Sequence, residues 1–306
     1  MDFANASGRV IVSGASGMLG DALRRALDAS GIPFLQLMRR AATGERQLQW
    51  NPGADRPIEN PGALEGARAA IHLSGASVGA HRWTDTYRRE ITASRVDSTR
   101  RLSTVLAGLR RPPQSLLVAS AIGFYGDHGD ELLDEQAAPG TGFLAEVCRQ
   151  WEAAAKPAVD AGIRVVHLRF GVVLGPGQGA LAQMLPPFRF GLGAKLGSGR
   201  QWMSWVAQAD AVAAIFFALE RTELAGPVNV TSPEPVTNAE FTKALGRQLK
   251  RPAFLAIPAF VVRLMFGQMA DEALLASVRA QPVKLQRAGF QFAHPAIDGA
   301  LETALR

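Results

Sequence analysis

Short apolar segments alternate with longer amphipathic ones along most of this 306-residue chain, and most apolar segments end in a turn that contains glycine or serine. Runs of about four to eight apolar residues are typical of buried strands, whereas apolar residues that recur every three or four positions are typical of helices. The pattern predicts strands at 9–13, 33–37, 47–50, 69–73, 115–119, 163–168 and 227–230. Between them it predicts helices at 18–30, 84–109, 142–161, 178–191, 208–220 and 237–249. This alternation predicts an α/β fold with a doubly wound parallel sheet and helices on both faces.

The alternation of strands and helices stops at about residue 251. Helical patterns at 258–268 and 271–280 predict a small, mainly helical lobe at this end of the chain. We therefore expect a nucleotide-binding domain over 8–225 and a C-terminal lobe over 226–306.

The first predicted strand runs straight into three glycines, Gly14, Gly17 and Gly20, spaced G-x-x-G-x-x-G, and a helical pattern follows them. One glycine allows a sharp turn, one lets the backbone approach a pyrophosphate, and one lets the helix pack closely on the strand. The N–H groups and the positive dipole at the start of the helix then favour phosphate. The motif predicts a Rossmann-type dinucleotide site rather than a bare structural turn. The residues expected to contact the cofactor here are Gly14, Ser16, Gly17, Met18, Leu19 and Gly20.

The second strand indicates which dinucleotide binds. A site for NAD usually carries an acidic residue about 20 residues after the glycines, where it bonds the ribose hydroxyls. No acidic residue occurs from Ala29 through Gly44, and Arg39 and Arg40 stand at the end of the strand instead. A guanidinium is a charged planar fork that suits phosphate. The two arginines therefore predict NADP (NADPH), held through its 2′-phosphate.

Composition narrows the class of protein. With 47% hydrophobic and 20% charged residues, the chain is typical of a globular protein, and no apolar run reaches the length of a membrane span. A single cysteine, Cys148, excludes internal disulfides and, without a signal-peptide pattern, predicts a cytoplasmic location. The formal net charge is +6, but the arginines are scattered in pairs rather than in one stripe, so we expect no nucleic-acid partner. No cluster of side chains has metal-ligand spacing, so we expect no metal.

Three further segments stand at predicted strand ends, namely Leu73-Ser74-Gly75-Ala76, Ser120-Ala121-Ile122-Gly123-Phe124-Tyr125-Gly126 and Leu168-Arg169-Phe170-Gly171-Val172-Val173-Leu174-Gly175-Pro176. These segments resemble the cofactor-site motifs of the extended short-chain dehydrogenase/reductase superfamily, which includes nucleotide-sugar epimerases and dehydratases. Further segments, among them His81-Arg82-Trp83, Trp151-Glu152 and Gly197-Ser198-Gly199-Arg200-Gln201, are similar to an atypical subgroup called epimerase family proteins. That subgroup carries a C-terminal domain of unknown function.

This resemblance implies an NADP(H)-binding oxidoreductase or a nucleotide-sugar-epimerase-like protein of unknown substrate. It also implies that strand ends beyond the glycine loop contribute to the cofactor site. The residues that it adds to this site are Leu73, Ser74, Gly75, Ala76, Arg95, Ala119, Ser120, Ala121, Phe170, Gly171, Val172 and Val173.

The catalytic residues of the superfamily are missing. Its chemistry uses a tyrosine as acid or base, a lysine one helical turn later, and a serine or threonine that bonds the reacting oxygen. By alignment on Glu152, Leu144 stands at the tyrosine position and Cys148 at the lysine position. Ala121 stands at the Ser/Thr position with Ser120 beside it, and Arg95 replaces an expected asparagine.

Three hypotheses follow from this departure. In the first, the chain is an enzyme with a different acid or base, for which Tyr125 and Ser120 are the candidates. In the second, it is a non-catalytic NADP(H) redox sensor or regulatory binding protein. In the third, the fold is an interaction scaffold with a vestigial cofactor site. For Cys148 we expect a buried inert thiol rather than a nucleophile.

A small-molecule substrate would need polar groups placed beside the cofactor. The glycine-rich run 174–204 predicts a flap over such a pocket. Aromatic residues next to arginines suit a planar or anionic ligand. The candidates for substrate contact are Arg82, Trp83, Arg200, Trp202 and Trp205. The long helices 84–109 and 142–161 are where superfamily members often dimerise, which implies a possible homodimer.

Overall fold

The computed structural model describes residues 8–306. Its strands are β1 (Val10–Ser13), β2 (Phe34–Met38), β3 (Gln47–Gln49), β4 (Ala69–His72), β5 (Ser115–Ala121), β6 (Leu132–Leu133), β7 (Arg164–Phe170), β8 (Val172–Leu174), β9 (Ala194–Leu196), β10 (Trp202–Met203), β11 (Trp205–Ala207), β12 (Gly226–Val230), β13 (Val236–Thr237), β14 (Leu255–Ile257) and β15 (Arg279–Ala280). Its helices are α1 (Met18–Ala29), α2 (Asp85–Ala107), α3 (Phe143–Ala153), α4 (Lys156–Asp160), α5 (Gly179–Arg189), α6 (Gln208–Glu220), α7 (Asn238–Leu249), α8 (Ala259–Phe266), α9 (Val283–Arg287) and α10 (Ile297–Ala304).

A seven-stranded parallel sheet forms the centre, in the order β12-β7-β5-β4-β1-β2-β3. The register places Val10 of β1 opposite Phe34 of β2 on one side and Ala69 of β4 on the other. The central strands are fully buried because helices cover both faces, as their continuous apolar runs indicate. The predicted α/β doubly wound fold is confirmed.

The strand order reverses between β1 and β4, since the chain builds β1-β2-β3 outwards in one direction and β4-β5-β7-β12 in the other. Ligands of open α/β sheets bind outside the carboxyl ends of the strands at such a point. This edge carries the turns that follow β1, β2, β4, β5 and β7. We call it the cofactor edge.

Two predicted helices differ from those in the structure. The predicted helix 142–161 is divided into α3 and α4, because Pro157 in the first turn of α4 has no N–H to continue the ladder from α3. The helix predicted over 271–280 is wrong. A short π-helical turn at Ala270–Leu274 is followed by β15, which pairs in parallel with β6.

The C-terminal part contains α8, α9 and α10, with β14 before α8 and β15 between α8 and α9, so it is mainly helical as expected. The predicted division at 225/226 falls immediately before β12, which is the edge strand of the central sheet. The sheet therefore extends past that division, and the two-unit organisation stays a prediction. Within residues 8–306, no helix combines the length and the apolar composition needed to cross a membrane.

Candidate functional site

The three glycines of the loop after β1 have three different environments. Gly14 has φ of +74°, and a Cβ there would lie 2.6 Å from the carbonyl carbon of Leu73. A Cβ on Gly20 would overlap the carbonyl oxygen of Gly14, so this glycine lets α1 pack against the turn. A Cβ on Gly17 would meet nothing closer than 3.6 Å, and Gly17 is exposed. Two glycines therefore serve the fold, and Gly17 keeps the edge open.

The N-terminus of α1 is not capped by any side chain, and Gly17 is its N-cap residue. Its first turn contains Met18, Leu19 and Gly20, and the loop residue Ser16 is exposed. Uncapped N–H groups and the positive end of the helix dipole at an exposed turn form an anion site. Gln208 of α6 fixes this turn from outside, because its Nε2 donates to the Met18 carbonyl over 3.1 Å.

Arg39 and Arg40 follow β2 directly at the cofactor edge, and both are exposed. Neither side chain makes a hydrogen bond or an ion pair within residues 8–306. By contrast, Arg46 of the same region pairs with Asp28 over 2.7 Å. The two predicted phosphate ligands therefore keep all their N–H donors available.

The turn after β4, Leu73–Ala76, is held by α2. The Arg95 Nη2 donates to the Ala76 carbonyl over 2.9 Å, and the Ser94 hydroxyl accepts from the Ala76 N–H over 3.0 Å. The Arg95 guanidinium carbon lies 5.1 Å from the Trp151 ring centre. A Cβ on Gly75 would lie 3.2 Å from the same guanidinium carbon. Arg95 is thus beside the cofactor edge, where it fixes the shape of this turn.

A buried polar chain lies beneath this turn. His72, at the end of β4, bonds Ser13 of β1 through Nδ1 and Ser98 of α2 through Nε2, the latter over 3.0 Å. Ser74 donates to Ser13 over 3.3 Å. Burial lowers the pKa of His72 to about 4, so the ring is neutral at physiological pH. His72 is not among the predicted site residues, although a histidine ending an otherwise apolar strand is a signal for a buried polar contact.

The ends of β5 and β7 meet in a second buried network. The Arg169 guanidinium donates twice to the Glu152 carboxylate, each bond 2.8 Å long, and the Ser120 hydroxyl donates to the same carboxylate over 2.8 Å. Arg169 also donates to the Tyr125 hydroxyl over 3.0 Å, which in turn donates to Asn229 Oδ1 over 2.7 Å. We call these five residues the β5–β7 network.

The network shields both predicted catalytic side chains. Tyr125 is 0% exposed, and Ser120 is 3% exposed. Burial is the main cause that raises the pKa of the Tyr125 hydroxyl above its usual value. Neither hydroxyl is presented to the cofactor edge, so this geometry gives no direct support to their predicted roles in proton transfer.

The positions at which the superfamily carries tyrosine and lysine hold apolar or inert groups. Leu144 is half-buried, and its side chain lies near Gly123. Cys148 is buried, and burial, with the nearby Glu152 carboxylate, raises the pKa of its thiol to about 12. A protonated thiol is a poor nucleophile, which supports the inert role expected for Cys148.

The Glu272 carboxylate, from the C-terminal part of the chain, lies at the start of α3. Glu272 Oε2 accepts the Leu144 N–H over 2.8 Å, and Oε1 accepts from Gln268 over 2.6 Å. The N-cap residue of α3, Gly142, has no side chain that could cap the helix, and Glu272 fills that role. No local sequence pattern predicts this contact, because the two residues lie 128 positions apart.

The segment after β7 crosses the edge and connects to the C-terminal half. Phe170 is buried, and a Cβ on Gly171 would lie 2.7 Å from the Ser204 carbonyl oxygen. Val172 and Val173 belong to β8, which pairs with β11, and both are half-buried. Ala119 and Ala121 precede this crossing at the end of β5. The cofactor residues predicted by resemblance therefore share one edge of the sheet.

The predicted substrate residues are not gathered in one place. Arg82 is exposed and donates to the Leu264 carbonyl over 3.2 Å, while Trp83 packs edge-on against Phe143. Trp202 contacts other partners, because its Nε1 donates to Asp130 over 2.8 Å and the Arg279 guanidinium lies 4.1 Å from its ring centre.

Arg200 is exposed and lies two positions before Trp202 in the sequence. The predicted substrate contact of Trp205 is wrong, because this side chain is buried. Its indole is 0% exposed in the core against α7 and α10, and Nε1 donates to the Glu234 carbonyl. Trp205 is therefore a core residue and does not line a pocket. Residues 8–306 contain no group of His, Cys, Asp and Glu side chains arranged to hold a metal ion.

Comparison with known proteins identifies the family of this chain. Residues 10–231 match the model of the NAD dependent epimerase/dehydratase family, and residues 257–304 match a domain of unknown function, DUF1731. An epimerase family protein of Mycobacterium bovis is 45% identical over 292 residues, which are 95% of this chain and 96% of the relative.

Two solved structures are similar over nearly the whole chain. The crystal structure of human epimerase family protein SDR39U1 with NADPH has a TM-score of 0.88 and 32% identity, covering 97% of this chain and 98% of that chain. A nucleoside-diphosphate sugar epimerase from Corynebacterium glutamicum has a TM-score of 0.79 and 33% identity, covering 98% of this chain and 58% of that chain.

Proposed function

The chain belongs to the NAD-dependent epimerase/dehydratase family, and from this premise we propose that it binds NADPH at the cofactor edge and works as an oxidoreductase or epimerase-like enzyme. The residues there fit the cofactor in chemistry and in space. The uncapped start of α1 offers N–H groups to a pyrophosphate, and open space at Gly17 lets the phosphates approach. The similar human protein was crystallised with NADPH, which supports the same cofactor.

The observation that carries the proposal is the state of Arg39 and Arg40. Two exposed arginines without a protein partner stand at the end of β2, where the ribose of a dinucleotide lies in this fold. A 2′-phosphate would receive charge-assisted hydrogen bonds from them, whereas NAD offers only a neutral 2′-hydroxyl there. We therefore expect a preference for NADPH over NADH.

The other residues of the edge would position the nicotinamide end. Arg95 holds the Leu73–Ala76 turn through its bond to Ala76, and Ala121 and Gly171 keep the ends of β5 and β7 free of bulky side chains. When bound, NADPH supplies hydride transfer. Tyr125 and Ser120 would act as positioning residues, because their hydroxyls are engaged by Asn229 and Glu152 inside the β5–β7 network. Arg95 remains a candidate to stabilise charge near a substrate oxygen.

We propose that the substrate is a small molecule bound beside the nicotinamide end of the cofactor. A nucleoside-diphosphate sugar is one class, on the analogy of the Corynebacterium relative. Arg82, Trp83, Arg200 and Trp202 stay proposals for its contacts. A homodimer through α2 and α3, a cytoplasmic location and the absence of a nucleic-acid partner also stay predictions.

A second function, a non-catalytic NADPH sensor, is favoured by one specific observation. Leu144, Cys148 and Tyr125, where the superfamily or this sequence would provide an acid or base, are apolar, protonated or buried. A sensor needs the cofactor site but no proton donor beside it. Deuterium transfer from labelled NADPH into a pool of nucleotide sugars would support the enzyme. Tight binding without any loss of label would support the sensor.

The test is a calorimetric titration of the purified protein, first freed of nucleotide, with NADPH and then with NADH. We expect wild-type protein to prefer NADPH. Arg39→Glu removes a charge-assisted bond worth about 1.5–3 kcal/mol and adds repulsion, so NADPH affinity should fall by at least about tenfold while NADH affinity changes little. Arg110→Glu, at an exposed arginine that follows α2 on the opposite edge of the sheet, is the matched control and should change neither. Equal loss of both cofactors in Arg39→Glu would reject the 2′-phosphate assignment.

A further inference from the structure

A depression on the outer face of α7 is distinct from the cofactor edge. Its volume is about 680 Å³, and it lies between α7, β9 and the turn that leads into β14. Five cationic side chains line it, and no aspartate or glutamate of the described residues does so. The cations are Lys195, Lys243, Arg247, Lys250 and Arg251. None of the residues assigned to the cofactor edge lines this depression.

The positive charge here is largely uncompensated. Arg247 pairs with Asp298 over 2.9 Å, but the other four side chains form no hydrogen bond or ion pair in the described part of the chain. The sequence contains five lysines in all, and three of them line this one depression. Such a concentration of one sign attracts an anionic ligand.

The helix dipole accounts for only part of this cluster. Cations stabilise the C-terminal turn of a helix, and Arg247 and Lys250 occupy that end of α7. Lys195 lies on a different element, β9, and packs its stem against Gly199, where a Cβ would lie 2.9 Å from Lys195 Cδ. Lys243 lies a full turn before the helix end. These two lysines face the depression without a dipole to offset.

An aromatic side chain stands at the same place. Phe254 lines the depression with 81% of its surface exposed, next to Leu255 at 40%. The turn that carries Phe254 is fixed to α7, because Arg251 N donates to the Gly246 carbonyl over 3.0 Å and a Cβ on Gly246 would lie 2.6 Å from Ala253 Cβ. Exposed aromatic faces stack on nucleobases, while clustered lysine and arginine bind phosphates.

We propose that this depression is a second ligand site, which binds a nucleoside di- or triphosphate with its phosphates among the lysines and its base against Phe254. A volume of about 680 Å³ falls within the range of small-molecule sites. The site is separate from the cofactor edge, so the protein can hold NADPH and the second ligand at the same time.

The test measures fluorescence anisotropy of N-methylanthraniloyl-ATP in the presence of saturating NADPH, which blocks the cofactor edge. Four proteins are compared: wild type, the double variant Lys243→Gln/Lys250→Gln, Phe254→Ala, and the control Lys156→Gln. Lys156 is an exposed lysine of α4 that pairs with Asp160 and lies outside the depression. Unlabelled ATP and inorganic pyrophosphate then compete for the site. Thermal denaturation is measured in parallel to show that every variant is folded.

We expect ATP affinity to fall by roughly tenfold or more in the double variant and by less than about twofold in Lys156→Gln, because two phosphate contacts are lost only in the former. Phe254→Ala should weaken ATP and leave pyrophosphate unchanged. Absence of nucleotide binding to the wild type, or equal binding to the double variant, would overturn the proposal. Pyrophosphate as tight as ATP would overturn the base contact, and a short RNA that displaces ATP at far lower concentration would assign the surface to nucleic acid. Failure of NADPH to bind would count against the proposed function alone, since the lysine variants locate the nucleotide independently.

Discussion

The two halves of the cofactor edge treat their polar groups in opposite ways. At the β1–β2 half, the start of α1 is uncapped and Arg39 and Arg40 have no partner in the described residues. At the β5–β7 half, the β5–β7 network joins its hydroxyls, carboxylate and guanidinium in hydrogen bonds and buries them. Unsatisfied donors at a surface are available to a ligand, whereas donors satisfied inside the protein stabilise the fold.

This contrast separates residues whose donors are open to a ligand from residues whose polar groups are already engaged inside the protein. Tyr125 and Ser120 lie in a segment that resembles a catalytic motif, yet their hydroxyls bond Asn229 and Glu152. Arg39 belongs to no such segment, yet it is free to bind phosphate. The state of hydrogen bonding therefore marks Arg39, and not Tyr125 or Ser120, as a group that is open to a ligand.

The largest effect is expected for Glu152→Ala, which disrupts the network in the β5–β7 half. This change leaves the buried Arg169 guanidinium without its carboxylate, which should lower the free energy of unfolding by about 3–5 kcal/mol. Glu146→Ala on the same helix removes an exposed partner of Arg149 and should cost less than about 1 kcal/mol. The measurement is the free energy of unfolding of each variant, obtained by urea denaturation. If Glu152→Ala does not fold, the double variant Glu152→Leu/Arg169→Met should restore folding. A loss no greater than that of Glu146→Ala would contradict a structural role for the network.

A pH series tests the buried polar chain between the two halves. The folded-state pKa of His72 is lowered to about 4 from 6.5, so between these values the unfolded chain binds a proton that the folded protein excludes. Stability should therefore fall as the pH is lowered from about 6.5 to 4, by roughly 3 kcal/mol from this residue, and should not depend on His72 above that window. His72→Gln should flatten the dependence of unfolding free energy on pH. Equal slopes in wild type and variant would remove His72 as the cause.

Two glycines that follow β1, Gly17 and Gly20, test the β1–β2 half. Gly17→Ala should fold normally, because its Cβ would meet no protein atom within 3.5 Å, but it should weaken NADPH by about 1–3 kcal/mol through contact with the phosphates. Gly20→Ala should instead fail to fold or lose stability, because its Cβ would overlap the Gly14 carbonyl oxygen. Thermal denaturation and NADPH titration of both variants provide the measurements. Normal NADPH affinity in Gly17→Ala would place the phosphates elsewhere.

The smallest effect is expected for Tyr125→Phe. Removal of the hydroxyl deprives Asn229 and Arg169 of one bond each, which should lower stability by about 1–2 kcal/mol and leave NADPH affinity unchanged. If turnover is found, a positioning role predicts that the variant keeps most of it and keeps the same pH profile. Complete loss of turnover in a folded variant would instead indicate that Tyr125 takes part in proton transfer.

Much of the fold could be predicted from local patterns. The predicted strands 9–13 and 69–73 correspond to β1 and β4, because buried parallel strands are continuous apolar runs. The predicted helix 271–280 was wrong because β15 forms only by pairing with β6, about 147 positions away, and no local pattern reports such a partner. The family membership inferred from short motifs is confirmed over 10–231.

The sequence by itself determined the α/β order, the glycine loop and the pair of arginines after β2, because these depend on period, backbone freedom and residue type within a few positions. Only the tertiary structure decided which polar groups remain free. The partners of Tyr125 and Leu144 are Asn229 and Glu272, each more than 100 positions away, and burial and hydrogen bonding are set by contacts of that range. Lys195 and Lys250 likewise become neighbours only because β9 packs against α7 and β14.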